Sequence, residues 1–110
     1  MPNRKFLVLI LAVAITAVGL PALADAGGPD GAAIYKAKCA MCHGPDGAGQ
    51  TPMGKNLKLR ALGSAEVQKL TDAELGKFIS DGKGKMPAYK TKLSPAEIGA
   101  LVSFIRTLKK

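Results

Sequence analysis

The sequence contains no tryptophan, three phenylalanines and two tyrosines, so aromatic residues make up only 5% of its 110 positions. It has a single histidine and two cysteines. One imidazole leaves no second histidine for acid–base work once the first is committed. Two thiols only three positions apart do not make a disulfide scaffold, since a bridge across a two-residue gap is usually a redox device rather than a staple. Acidic residues are also scarce, eight against sixteen basic ones, for a formal charge of +8. No run of alternating apolar and polar residues supports a strand, and no repeat or low-complexity segment is visible. The length fits one small domain.

The one long apolar run lies at the start. Arg4 and Lys5 precede Phe6 to Leu20, fifteen uncharged and mostly apolar residues, after which come Pro21 and Ala22-Leu23-Ala24. A charged start, a short apolar core and small residues at the cleavage positions form a secretory signal peptide. A membrane span needs about 20 apolar residues, which the run does not reach. The expected division is therefore a leader over 1–24, cleaved after Ala24, and one domain over 25–110. The leader carries two basic residues and no acidic one, so cleavage leaves 86 residues with a formal charge of +6. An exported chain is expected in the periplasm, with no stable membrane insertion after cleavage. Its basic character then does not point to nucleic acid.

The remaining pattern predicts an all-α domain of three or four short helices with long glycine-rich loops. Asp30 is placed to cap a first helix through about Ala40, on which Gly31, Tyr35 and Cys39 share a face. His43 to Gly54, with four glycines and two prolines, reads as loop. Ser64 is placed to cap a short helix through about Leu70. Thr71-x-x-Glu74 is a capping box opening a helix to about Ser80, with Leu75, Phe78 and Ile79 on its inner side and Gly82 as its stop. Ser94-Pro95-Ala96-Glu97 is a second box. After it, Ile98, Leu101, Val102, Ile105 and Leu108 keep helical spacing, with Phe104 widening the stripe. Loops this long in so small a domain suggest that something fills the space they enclose. The few large side chains left after cleavage, Phe78, Phe104, Tyr35 and Tyr89, point the same way.

The stretch "KCAMCHGPDG", Lys38 to Gly47, holds both cysteines and the histidine. Cys39-Ala40-Met41-Cys42-His43 has the C-x-x-C-H spacing of c-type haem attachment. Two thiols one helical turn apart can each form a thioether on one porphyrin edge, and the next residue then presents its imidazole to the iron. A thioredoxin-like C-x-x-C needs a preceding strand and a βαβ pattern, neither of which is visible. A structural zinc site wants four Cys or His ligands, and a carboxylate would have to complete the three present. An inert buried pair leaves His43 unexplained.

Three separate pieces, "GAAIYKAKCAMCHGPDGAG", "MPAY" and "LSPAEIGALVSFIRTL", together resemble the small bacterial class I c-type cytochromes over roughly Gly31 to Leu108. The resemblance implies the class I cytochrome c fold, helices wrapped around one haem c attached through Cys39 and Cys42, with iron held by His43 and a distal methionine. Met41 lies inside the attachment turn and Met53 only ten positions after His43, too near to pass round the ring. Met86, in "GKGKMPAYK", has flanking glycines that permit a tight loop, and the family's distal methionine likewise precedes the last helix. A plain apolar filler is the other reading of Met86. By the same resemblance Pro52 matches the proline whose carbonyl accepts the proximal histidine's ring N–H. Gly31 and Tyr35 match the first-helix contacts, with Leu101 and Phe104 as their partners on the last helix. Many relatives hold a haem propionate with tryptophan. Here Arg60, Lys58 or a backbone N–H would have to replace it.

Iron saturated by histidine and methionine suits one-electron shuttling between Fe(II) and Fe(III), and a thioether ligand favours the reduced state. The expected function is a non-enzymatic periplasmic electron carrier, monomeric, serving redox partners. A haem protein reactive toward gases or peroxide, with a labile distal ligand, is the alternative. A detached domain serving one larger oxidoreductase complex is a third reading, with the same chemistry. Lys83, Lys85, Lys90 and Lys92 bracket Met86, and Lys36 and Lys38 approach the attachment turn. If they ring the haem edge, they favour partners with acidic docking faces. A solvated basic surface is the plainer reading.

Overall fold

The computed structural model describes residues 28–110 together with Gly19. Apart from Gly19, the expected leader lies outside the described residues. Six helices follow one another: α1 Gly31–Lys38, α2 Ala40–His43, α3 Pro52–Asn56, α4 Ala65–Gln68, α5 Asp72–Asp81 and α6 Pro95–Thr107. Among the described residues the nearest approach to a strand is an isolated antiparallel bridge between Lys83 and Met86. None of these helices is long and apolar enough to cross a membrane.

The helices begin where short polar side chains can satisfy the first free N–H groups. Asp30 accepts from the Ala33 N–H and Ser64 from the Val67 N–H. Thr71 and Ser94 form the two expected capping boxes, each with its glutamate reaching back to the cap N–H. Thr51 caps α3 through the Gly54 N–H at 2.9 Å. That helix interrupts a stretch expected to be all loop.

The expected first helix is likewise two helices. Cys39 stands between them as a distorted helical residue, at φ −116° and ψ −35°. Both the Cys42 and the His43 N–H then donate to the Cys39 carbonyl, at 3.2 and 3.0 Å, so a fresh turn starts at Cys39.

The first and last long helices cross closely. At Gly31 a β-carbon would collide with the Ala100 carbonyl of α6, so only glycine admits this approach. Beyond it the Tyr35 and Phe104 rings meet with centroids 4.8 Å apart, and Leu101 is 1% exposed. α5 packs Leu75 and Ile79 into the same core. Phe78, expected on that inner side, is 36% exposed and stands at its rim.

Arg106 ties the end of α6 to the segment joining α4 and α5. Its guanidinium donates to the Gln68 and Leu70 carbonyls and pairs with Asp72 at 2.8 Å.

Candidate haem site

The attachment turn is held from three sides. The Tyr35 hydroxyl donates to the Gly44 carbonyl at 2.6 Å, the Thr51 hydroxyl to the Cys42 carbonyl at 2.6 Å, and the Gly49 N–H to the His43 carbonyl at 2.8 Å. At Gly54 a β-carbon would sit 2.6 Å from the Cys42 carbonyl. The loop and α3 therefore press directly on the backbone that carries Cys42 and His43.

Met86 is presented by a different device. Lys83 and Met86 exchange both backbone hydrogen bonds, at 3.1 and 3.0 Å, around the two-residue turn Gly84-Lys85. Gly84 has φ +57°, as a glycine does at the first central position of a type II′ turn. The Tyr89 and Lys90 N–H groups then bond the Ile79 and Ser80 carbonyls, fastening the segment to the end of α5.

These two assemblies open onto one cavity of about 510 Å³, which Cys39, Cys42, His43 and Met86 all line. Much of its remaining wall is aliphatic, including Leu59, Leu62, Val67, Leu75, Leu101 and Ile105. Five cationic side chains, Lys38, Lys58, Arg60, Lys83 and Lys85, also line it, and among the described residues no carboxylate does.

Both cysteines are free and half-buried. Burial, with a smaller push from Cys42, raises the Cys39 thiol to about 11, against a smaller lowering by Lys38. Burial lowers the pKa of His43 and so favours its neutral form, the form in which imidazole binds metals. Its Nδ1 is buried without a hydrogen-bond partner.

Tyr35 and Arg60 line the cavity, as does Lys58. Arg60 also lies 3.5 Å from Glu66, with both side chains mostly exposed. Pro52 stands apart from these residues. It does not line the cavity, and its carbonyl receives nothing from His43 Nδ1. It is instead the first residue of α3, where its carbonyl is aligned with the helix axis toward the N–H four residues on. Met41 and Met53 are 82% and 45% exposed and stand outside the cavity lining. The lining residues that sequence reasoning missed include Leu57, Leu59 and Tyr89. Tyr89 stood three positions after Met86, and the alternation of Leu57 and Leu59 among basic residues was the only other signal.

A bound haem needs thiols in one turn, a neutral buried imidazole, an apolar envelope and cations for two propionates. The residues present meet each need, and no hydrogen bond to Nδ1 among the described residues holds the His43 ring away from such a group.

Comparison with known proteins agrees. The family model for cytochrome c oxidase, cbb3-type, subunit III matches residues 26–105. The cytochrome c6 of a Picosynechococcus strain is 33% identical over 109 residues, covering 93% of this chain and 92% of its own. The cbb3-type oxidase subunit FixP of Azorhizobium caulinodans is 35% identical over 79 residues, or 71% of this chain, but only 26% of that longer subunit is matched. Among solved structures, the KustC0563 c-type cytochrome superposes with a TM-score of 0.70 at 38% identity, over 74% of this chain and 100% of that one. The chain belongs to the class I c-type cytochromes, helical electron-transfer proteins that carry covalently bound haem c.

Proposed function

We propose that Cys39 and Cys42 hold the haem by two thioether bonds, that His43 supplies the proximal ligand, and that Met86 supplies the distal one. The observation that carries this is the convergence of all four on one largely apolar cavity from two segments far apart in the chain. When bound, the haem supplies a one-electron Fe(II)/Fe(III) couple. The chain's part is to keep the surroundings of that couple fixed. The Tyr35, Thr51 and Gly49 bonds hold the attachment turn, and the Lys83–Met86 turn with its fastening to α5 holds the methionine. Ligands held this rigidly move little when charge changes, which lowers the cost of each transfer.

The carrier reading is favoured over a gas- or peroxide-reactive one. His43 is the only imidazole in the chain and no carboxylate lines the cavity among the described residues, so with His43 committed to iron no second histidine and no carboxylate is there to act as a base toward peroxide.

Met86→Ala in the haem-loaded protein tests the ligand set. The potential is expected to fall and the ferric spin state to rise; an unchanged potential and spin state would remove Met86 from its role.

The same reading extends to partners and location. Lys38, Lys83 and Lys85, without a carboxylate among them, suit a partner with an acidic docking face. Electron transfer is then expected to slow with ionic strength, and a flat response would remove the docking claim. The protein is read as a periplasmic monomer exported by the leader over 1–24. A mass beginning at Asp25, and a single-chain mass in solution, check those two points.

A further inference from the structure

Tyr89 holds an unusual position between the two segments that build the site. α1 ends at Lys38. In an unbroken helix the Lys38 carbonyl would receive the Cys42 N–H. That N–H donates to the Cys39 carbonyl instead, at 3.2 Å. The Tyr89 hydroxyl, 51 positions along the chain, donates to the Lys38 carbonyl at 3.2 Å. At its other end the Tyr89 N–H donates to the Ile79 carbonyl at 3.0 Å. The ring between them lines the cavity, and Lys92 Nζ lies 5.6 Å from its centroid.

We propose that Tyr89 is a latch. Its hydroxyl ties the Met86 segment to a carbonyl that the attachment turn leaves open, and so resists the swinging of that segment away from the cavity.

This deepens the proposed function and rests on Met86 being the distal ligand. Every backbone tie of the segment runs to itself or to the end of α5: Lys83 with Met86, Tyr89 with Ile79, Lys90 with Ser80. The Tyr89 hydroxyl is the tie that crosses to the attachment side. Pro87 between Met86 and Tyr89 stiffens the connection, so a restraint on Tyr89 is felt at Met86. Tyr89 is thus a positioning residue, acting on the iron site through Met86.

The test compares the haem-loaded protein with its Tyr89→Phe variant, which keeps the ring and removes only the donor. Imidazole is titrated into the ferric form, where it competes with the distal ligand. Amide hydrogen exchange is followed in parallel. Imidazole is expected to bind the variant about two- to tenfold more tightly, the factor that one net hydrogen bond supplies. The amides of Met86, Tyr89 and Lys90 should exchange faster by a similar factor, while those of Leu101 and Ile105 stay unchanged.

Equal imidazole affinity and equal exchange in the two proteins would overturn the latch. So would a uniform acceleration that includes α6, because that marks general loosening. Failure of the ligand assignment looks different: Met86→Ala would then leave imidazole affinity unchanged from that of the unaltered protein. The exchange comparison would still report whether the hydroxyl restrains the segment.

Discussion

Lys58 carries backbone strain that a substitution can release. It is the non-glycine residue with positive φ among those described, at +54°. The cause is the way α3 ends. The Lys58 N–H bonds the Lys55 carbonyl at 3.2 Å and the Leu59 N–H bonds the Gly54 carbonyl at 2.9 Å. That pair of bonds is the Schellman motif, and its left-handed position normally goes to glycine. A residue with a β-carbon there costs roughly 1–2 kcal/mol. Glycine gives back about 0.5–1 kcal/mol through its freer unfolded chain. Lys58→Gly should therefore stabilise the haem-loaded protein by about 0.5–1 kcal/mol, or a few degrees in Tm for a domain of this size. Lys58→Ala supplies the control, because it removes the same side chain and keeps the strain. Urea unfolding of both should place glycine above alanine by that margin, at equal m-values. Alanine equal to or more stable than glycine would refute the account. Lys58 also lines the cavity, so both variants should lose the same share of any cationic steering, whatever their difference in stability.

Leu101→Ala should cost about 2–5 kcal/mol, as for other fully buried leucines, with unfolding of the loaded protein as the measure. Gly54→Ala brings a methyl against the Cys42 and Gly49 carbonyls and must displace the backbone around the attachment turn. The yield of covalently loaded protein should drop sharply, and a normal yield would show that the contact relaxes freely. Tyr35→Phe leaves the buried Gly44 carbonyl without its donor, at a cost of about 1–3 kcal/mol. The phenol's pKa is pushed up to about 12, chiefly by burial, above an unfolded value near 10. Its contribution is thus fully present below pH about 10 and drains away as pH rises toward 12. Over that range the unaltered protein should lose more stability than Tyr35→Phe, and parallel losses would contradict the buried-phenol account.

The parts of this fold that were legible in the sequence are the parts set by near neighbours. Asp30, Ser64, Thr71 and Ser94 cap helices through residues three positions on, and α6 declares itself by its stripe. The break at Cys39 was not legible because "YKAKCAMCH" contains no helix breaker. It coincides with bonds from far along the chain, Thr51 to the Cys42 carbonyl and Tyr89 to the Lys38 carbonyl. α3 was hidden for a different reason: four glycines dominated the reading of residues 43–54, although Thr51-Pro52 is a cap followed by a proline at the first helical position. The pairing of the Pro52 carbonyl with His43 rests on the resemblance, because nothing in the local sequence fixes which way a loop carbonyl points. The cationic lining draws on three stretches of chain, Lys38, Lys58 with Arg60, and Lys83 with Lys85, so only the folded chain shows them together.

Site and core in this protein share their walls. The core cluster has nine buried members, and six of them, Tyr35, Val67, Leu75, Ile79, Leu101 and Ile105, also line the cavity. These side chains are packed on one side by the protein and face a space of about 510 Å³ on the other. A group that fills this space covers those inner faces, so the haem completes the core as well as the site. The attachment turn, the Met86 segment and the α1–α6 pair are mutually dependent for the same reason: each contributes to the wall, the two helices through Tyr35 and Leu101.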